Sequence, residues 1–163
     1  MIAYDSAAWH DLFVAILGAA AALEGLLFVA VSLNLEQILK LKALPPLAAR
    51  SLGTLLAILL MSVLILTPGQ SRVVLGVEIT ALGLILTVAM LVSTTRTHLR
   101  AERWQWAVSA FGLSTAASLP MLVAGITLTL GRGGGLYWAL VEVIAGFSIS
   151  IYYAWVLLVE ILR

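Results

Sequence analysis

The chain has 163 residues, of which 63% are hydrophobic and only 10% charged, with a net charge of +1. Soluble domains carry about 25% charged residues, so this composition cannot cover a water-facing surface and excludes a soluble globular fold. The near-zero net charge carries no nucleic-acid signal, and the lack of cysteine removes disulfide, zinc-thiolate and iron–sulfur chemistry.

Residues 1–11 are polar and aromatic, and Tyr4, Trp9 and Phe13 suit the amphipathic belt at a membrane–water boundary. Residues 12–35 are a run of 24 with a single charge, Glu24, near the centre. A hydrocarbon core about 30 Å thick takes roughly 20 helical residues, which makes this the first membrane span, with a carboxylate at mid-depth. No Lys or Arg precedes Lys40, and the run is longer than a signal-peptide core, so the expected outcome is a span retained in the mature protein. Glu36 to Lys42 extends the helix past the membrane, and Pro45-Pro46 is expected to stop it. Arg50 is placed to snorkel at the edge of span two, residues 51–67, and Pro68-Gly69-Gln70-Ser71 is a turn. Span three covers 73–95, followed by a charged connection with Arg96, His98, Arg100, Glu102 and Arg103. Span four covers 106–130, with Pro120 near its middle expected to kink the helix and free a carbonyl near Ala116. Gly131 to Gly135 reads as a flexible hinge before span five, residues 136–162.

The expected fold is therefore all-α: a single transmembrane domain, 1–163, of five transmembrane helices packed antiparallel, N-terminus outside and C-terminus cytoplasmic. That orientation puts Lys40, Lys42, Arg50, Arg96, Arg100, Arg103 and Arg163 inside and only Arg72 and Arg132 outside, a clear positive-inside bias. The loops are too short for an extramembrane active site, so the work of the chain lies in the bilayer or at its surfaces.

An acid at mid-depth costs about 2.5–3.5 kcal/mol on insertion scales and faces protein or water rather than lipid. Glu24 sits in the densest run of small residues, where Gly18, Ala21, Ala22 and Gly25 form one helix-packing face. Leu17, Glu24, Val31 and His10 fall on a neighbouring stripe. Two readings stay open for Glu24: a carboxylate lining a pore or ion site, or a neutral acid hydrogen-bonded to another helix. Glu78 and Glu142 each lie about 10 Å outward of the midplane, where they could converge on a cation or proton, or point separately into headgroup water. On span five, Glu142, Gly146, Ile149, Tyr153 and Glu160 share a face that lipid would not welcome, which implies burial against the bundle or a subunit contact. Gly76, Thr80, Gly83, Thr87 and Thr94 on span three, and Ser109, Gly112, Ala116, Pro120, Ala124 and Thr127 on span four, read as packing seams. His98 and Glu102 have metal-pair spacing, but three arginines surround them and oppose a cation. No nucleophile–base pair stands out, and Gly131 to Gly135 lacks the lysine of a phosphate loop. No catalytic role, metal or cofactor is expected.

The opening Trp9-His10-Asp11-Leu-Phe-Val, with Ala22-Leu23-Glu24-Gly25-Leu-Leu-Phe28-Val-Ala-Val-Ser32-Leu-Asn34-Leu and Leu64-Ile-Leu-Thr-Pro68-Gly69-Gln70, resembles small multi-spanning bacterial membrane proteins of unassigned function, some labelled protease modulators. The resemblance implies a fold family and a bacterial inner-membrane location, not an activity. Locally, Ala22-Leu23-Glu24-Gly25 with Val29-Ala30 is similar to the pore helix of Orai-type calcium channels, which have four spans and a cytoplasmic N-terminus. The leading expectation is a homo-oligomer in the lipid bilayer with an ion-permeation or ion-binding role, cation or proton, to which Glu24 contributes. The alternative is a non-catalytic scaffold or modulator that binds another membrane protein through its small-residue faces.

Overall fold

The computed structural model describes the backbone of residues 2–41, 44–98 and 118–161, and the side chains of these apart from 93–98, 160 and 161. Among the described residues there are helices and turns and no strand. Two short 3-10 turns, Ile2–Tyr4 and Ser6–Trp9, lead into α1 (His10–Leu33), followed by α2 (Leu35–Lys40), α3 (Leu44–Leu66), α4 (Arg72–His98), α5 (Leu119–Leu130) and α6 (Leu136–Ile161). Four segments are long and apolar enough to cross a bilayer: Ser6–Leu33, Leu44–Leu66, Arg72–Val92 and Leu136–Val159. By length and composition the chain is a multi-pass helical bundle of the membrane. Of the fourth expected span, 106–130, residues 106–117 lie outside the described residues, and the described part holds α5, a shorter apolar helix of 12 residues.

Several helix ends differ from expectation for simple backbone reasons. The first helix breaks at Asn34, whose Nδ2 donates to the Ala30 carbonyl at 2.8 Å, and α2 ends at Lys40. Pro45 and Pro46, expected to end a helix, instead open α3, because the first turn has no use for the N–H groups they lack. Pro120 lies in the first turn of α5 behind Ser118, and the part of the expected span before it, 106–117, lies outside the described residues. The carbonyl expected to be freed near Ala116 lies outside the described residues, as do His98's side chain and Glu102. At the other end of α5, Gly131 takes φ 68°, the left-handed conformation a side chain disfavours, and the Gly131 and Arg132 amides bond back to Leu128 and Thr127.

α3 is the hub of the packing. It touches α1, α4 and α6, while α4 packs on α5 and α5 on α6, so α3, α4, α5 and α6 close a four-helix ring with α1 outside it. In lipid, helices gain little from hiding apolar surface from one another, so close approach of backbones supplies the attraction. The α4–α5 seam does this through Gly76, Gly83 and Gly125: a Cβ on Gly76 would stand 2.7 Å from the Thr129 nitrogen, and one on Gly83 3.1 Å from Leu122. Thr80, Thr87 and Thr129 leave this seam quiet by donating to their own helix, to Gly76, Gly83 and Gly125 carbonyls at 2.7, 2.7 and 2.9 Å. Gly146 plays the matching part on α6, against Ile58 and Thr54 of α3.

The N-terminal turns fold over the loop between α5 and α6. Trp9 meets Tyr137 edge-on at 4.9 Å and donates from Nε1 to the Ile2 carbonyl at 2.9 Å, while the Gly134 amide donates to the Tyr4 hydroxyl at 3.1 Å. Arg72 lies 5.9 Å from the centre of the Tyr4 ring. Two expectations change here. Phe13 and Trp9 are buried in protein contacts rather than resting in the interfacial belt. The glycine run, expected to be a hinge, is a turn fastened to Tyr4 and, through its Nε1–H to the Gly133 carbonyl, to Trp138.

Candidate intramembrane acid site

Read along α6, the buried positions are Leu136, Ala139, Glu142, Val143, Gly146, Ser150, Tyr153 and Leu157, one stripe at helical spacing facing α3 and α5. Of the face the sequence marks as unfit for lipid, Glu142, Gly146 and Tyr153 are buried and Ile149 is half-buried, while the Glu160 side chain lies outside the described residues. The register of α6 against the antiparallel α3 is fixed by two reciprocal bonds: Ser51 Oγ donates to the Ser150 carbonyl at 3.0 Å, and Ser150 Oγ to the Ser51 carbonyl at 3.3 Å. One helical turn toward the C-terminus Tyr153 lies against the guanidinium of Arg50. Arg50, expected to snorkel to the headgroups, is only 4% exposed. On the N-terminal side of Ser150, Gly146 admits Ile58, and the next turn carries Glu142 at about the level of Met61 and Ser62.

Glu142 is 0% exposed, and neither carboxyl oxygen has a hydrogen-bond partner among the described residues. The backbone amide of Met121, in the first turn of α5, faces the carboxyl at a geometry short of a hydrogen bond. Ser62, level with it on α3, donates to its own helix at Ile58 (2.8 Å), and Thr54 likewise to Arg50 (2.9 Å). The hydroxyls of this wall are thus spent locally and leave the acid unserved.

The other expected acids are elsewhere. Glu78 is half-buried on α4 and accepts a short hydrogen bond from Gln70 Nε2, while Gln70 Oε1 is buried without a partner. Glu24 is half-buried on α1, on a stripe with the half-buried Leu17 and Val31. Trp9 and Tyr137 set a common level for α1 and α6; Glu24 lies fifteen residues below the first and Glu142 five below the second, so about 15 Å of depth separates the two acids. Among the described residues no three acids or histidines come together as a metal group. A cleft of about 40 Å³ between α1, α3 and α6 is lined by Leu23, Leu27, Ser51, Leu55 and Ser150, and by no acid.

The four small residues beside Glu24 take no part in packing among the described residues. Gly18, Ala21, Ala22 and Gly25 are all exposed, and a Cβ on either glycine would meet nothing within 4 Å. α1 presents Phe13, Ile16 and Ala20 to the bundle instead. Sequence reasoning missed the Arg50–Tyr153 contact and the paired serines. The signal was present: Arg50, Thr54, Ala57, Ile58 and Met61 repeat at helical spacing, which puts the arginine on the core face. No protein-family model, curated protein or solved structure matches the chain.

Proposed function

We propose that the protein binds a proton or cation within the membrane and transports it across, without catalysing a covalent reaction, and that Glu142 is its central carboxyl. The observation that carries this reading is a fully buried acid whose two oxygens lack hydrogen-bond partners among the described residues. An ionisable group inside a membrane bundle is rare, and where present it marks proton relays and ion sites, since a purely structural position would be better filled by an apolar side chain. The proposal takes the chain as five spans with the N-terminus outside, on the apolar run 106–130 and the distribution of basic residues, in a bacterial inner membrane on the sequence resemblance. Reconstituted into liposomes under an imposed gradient, the wild-type chain is expected to carry a proton or cation flux that Glu142→Gln reduces at least tenfold. Equal flux from both, or none from a wild type that retains its helix content, refutes it.

A second reading is favoured by the exposed Gly18, Ala21, Ala22 and Gly25 face with Glu24 on its border. That face fits a homo-oligomer, or another membrane protein for which this chain acts as scaffold or modulator, through close helix contact. Cross-linking from residue 21 in native membranes distinguishes the two: a self-adduct supports the oligomer, and an adduct with a fixed second protein supports the modulator.

A further inference from the structure

We infer that Glu142 and the first turn of α5 form a proton-binding site, an inference that rests on the ion-binding reading above and names its ion. The first N–H groups of a helix have no partner within it. In α5 Pro120 has no N–H at all, Ser118 makes no side-chain cap bond, and the Met121 amide faces Glu142. α5 is 12 residues long and ends at the turn joining it to α6, so its start lies about 18 Å along the helix from that turn, deep in the apolar layer. A helix start carries partial positive charge, and here a buried, unpartnered carboxyl points at it.

The site tolerates two states. With its proton on, Glu142 is a neutral group among Ala139, Val143, Gly146 and Met121. With the proton released to water, the carboxylate is left facing the amide end of α5, which stabilises the anion and has no preference for the acid. No bond other than O–H forms or breaks. A metal cation fits neither condition: calcium takes six to eight oxygen ligands, the described residues hold no group of three acids or histidines, and the same helix start repels positive charge. Charged and titratable groups on the surrounding elements stand apart. α5 has none; on α4 Glu78 is engaged by Gln70, Arg72 lies over the Tyr4 ring, and the side chains of Arg96 and His98 are outside the described residues; on α3 Arg50 lies against Tyr153, about three helical turns inward; and on α1 His10 and Asp11 are exposed and Glu24 is about 15 Å deeper.

Infrared spectroscopy of the full chain in lipid bilayers, titrated in H2O and D2O, tests the inference. The wild type is expected to show a protonated-carboxyl C=O band that Glu142→Gln removes, Glu142→Asp displaces, and rising pH abolishes reversibly, equally in sodium, potassium and calcium chloride. Three results would overturn it: no such band at any pH, a band unchanged up to the pH at which helix content is lost, or a band removed at constant pH by sodium or calcium. The last would leave the ion-binding reading standing and replace only the ion. A band that titrates while liposomes carry no flux would retain the proton site and sink the transport reading. Should Glu142→Gln fail to fold, the displaced band of Glu142→Asp still assigns the group.

Discussion

Gly125→Ala should loosen the α4–α5 seam by a predictable amount. A Cβ at residue 125 would stand 2.5 Å from the Thr80 nitrogen and 2.7 Å from the Gly76 carbonyl oxygen, where ordinary contact is 3.4–4 Å. Both obstacles are backbone, so no side chain can swing aside and the two helices must part by close to 1 Å. A radial gap of 0.5–1 Å forfeits about a quarter to a half of each dispersion contact along the seam, and packing is the main attraction between helices in lipid. Overpacking of this kind costs about 1–3 kcal/mol, offset by the roughly 1 kcal/mol that alanine gains over glycine in helix propensity. The net expectation is a loss of about 1–2 kcal/mol, read as an earlier midpoint in reversible unfolding in mixed micelles followed by helix content. Gly18→Ala and Gly25→Ala meet nothing within 4 Å and should be neutral or stabilising. The partner glycine sharpens the test: a Cβ at Gly76 would stand 2.8 Å from the Gly125 carbonyl oxygen, so the separation forced by one alanine accommodates the other. The double variant should therefore lose less than the sum of the singles. If Gly125→Ala unfolds no earlier than Gly25→Ala, the close backbone crossing is not what holds α4 to α5.

Other substitutions probe the remaining polar groups. Glu142→Met should raise the unfolding midpoint, because a buried polar group without partners carries a penalty of about 1–3 kcal/mol that an apolar side chain of similar length escapes; a lower midpoint would mean the carboxyl is well served in the folded bundle. Ser51→Ala deletes one of the two reciprocal α3–α6 bonds and should cost about 0.6 kcal/mol, the average for a hydrogen bond between membrane helices, measured by the same unfolding assay. A cost near zero would leave Gly146 and its neighbours as the whole contact. Glu24→Leu should leave the unfolding of the single chain nearly unchanged, since Glu24 sits at the edge of the bundle, but should alter particle size in mild detergent if α1 forms the subunit contact.

The helical class and the long spans were legible because a bilayer imposes one length and one composition on any helix that crosses it. The seam on α4 was legible for a related reason: Gly76, Thr80 and Gly83 repeat at helical spacing, and nothing but close packing rewards that pattern in lipid. Helix starts were harder. Pro45, Pro46 and Pro120 carry the same local signal whether they end a helix, bend it or begin the next, and the choice depends on what the flanking residues pack against. Arg50 and Phe13 were misplaced because rules for interfacial residues assume a lipid-facing side chain, while both fall on the buried stripe of their helix. Nor could one sequence say which small-residue face is used inside the chain: the runs around Gly18 and Gly76 look alike, yet the first is bare and the second is covered by α5.

That difference decides how the two deep acids can be satisfied. Glu142 lies on the stripe of α6 that the ring buries, and of the described backbone amides the one of Met121, at the start of α5, is directed at its carboxyl. Glu24 is on the helix outside the ring, with α3 on one side and, among the described residues, bare neighbours on the other. An acid exposed to acyl chains alone is unfavourable by about 2.5–3.5 kcal/mol, which is a drive toward assembly or toward water at α1. The buried carboxyl of Glu142 within the ring and the bare small-residue face of α1 outside it are therefore separate sites, about 15 Å apart in depth. Substitutions at one should leave the other intact, and a Glu142→Gln chain that loses its oligomeric state would show instead that the ring and its outer helix act as one unit.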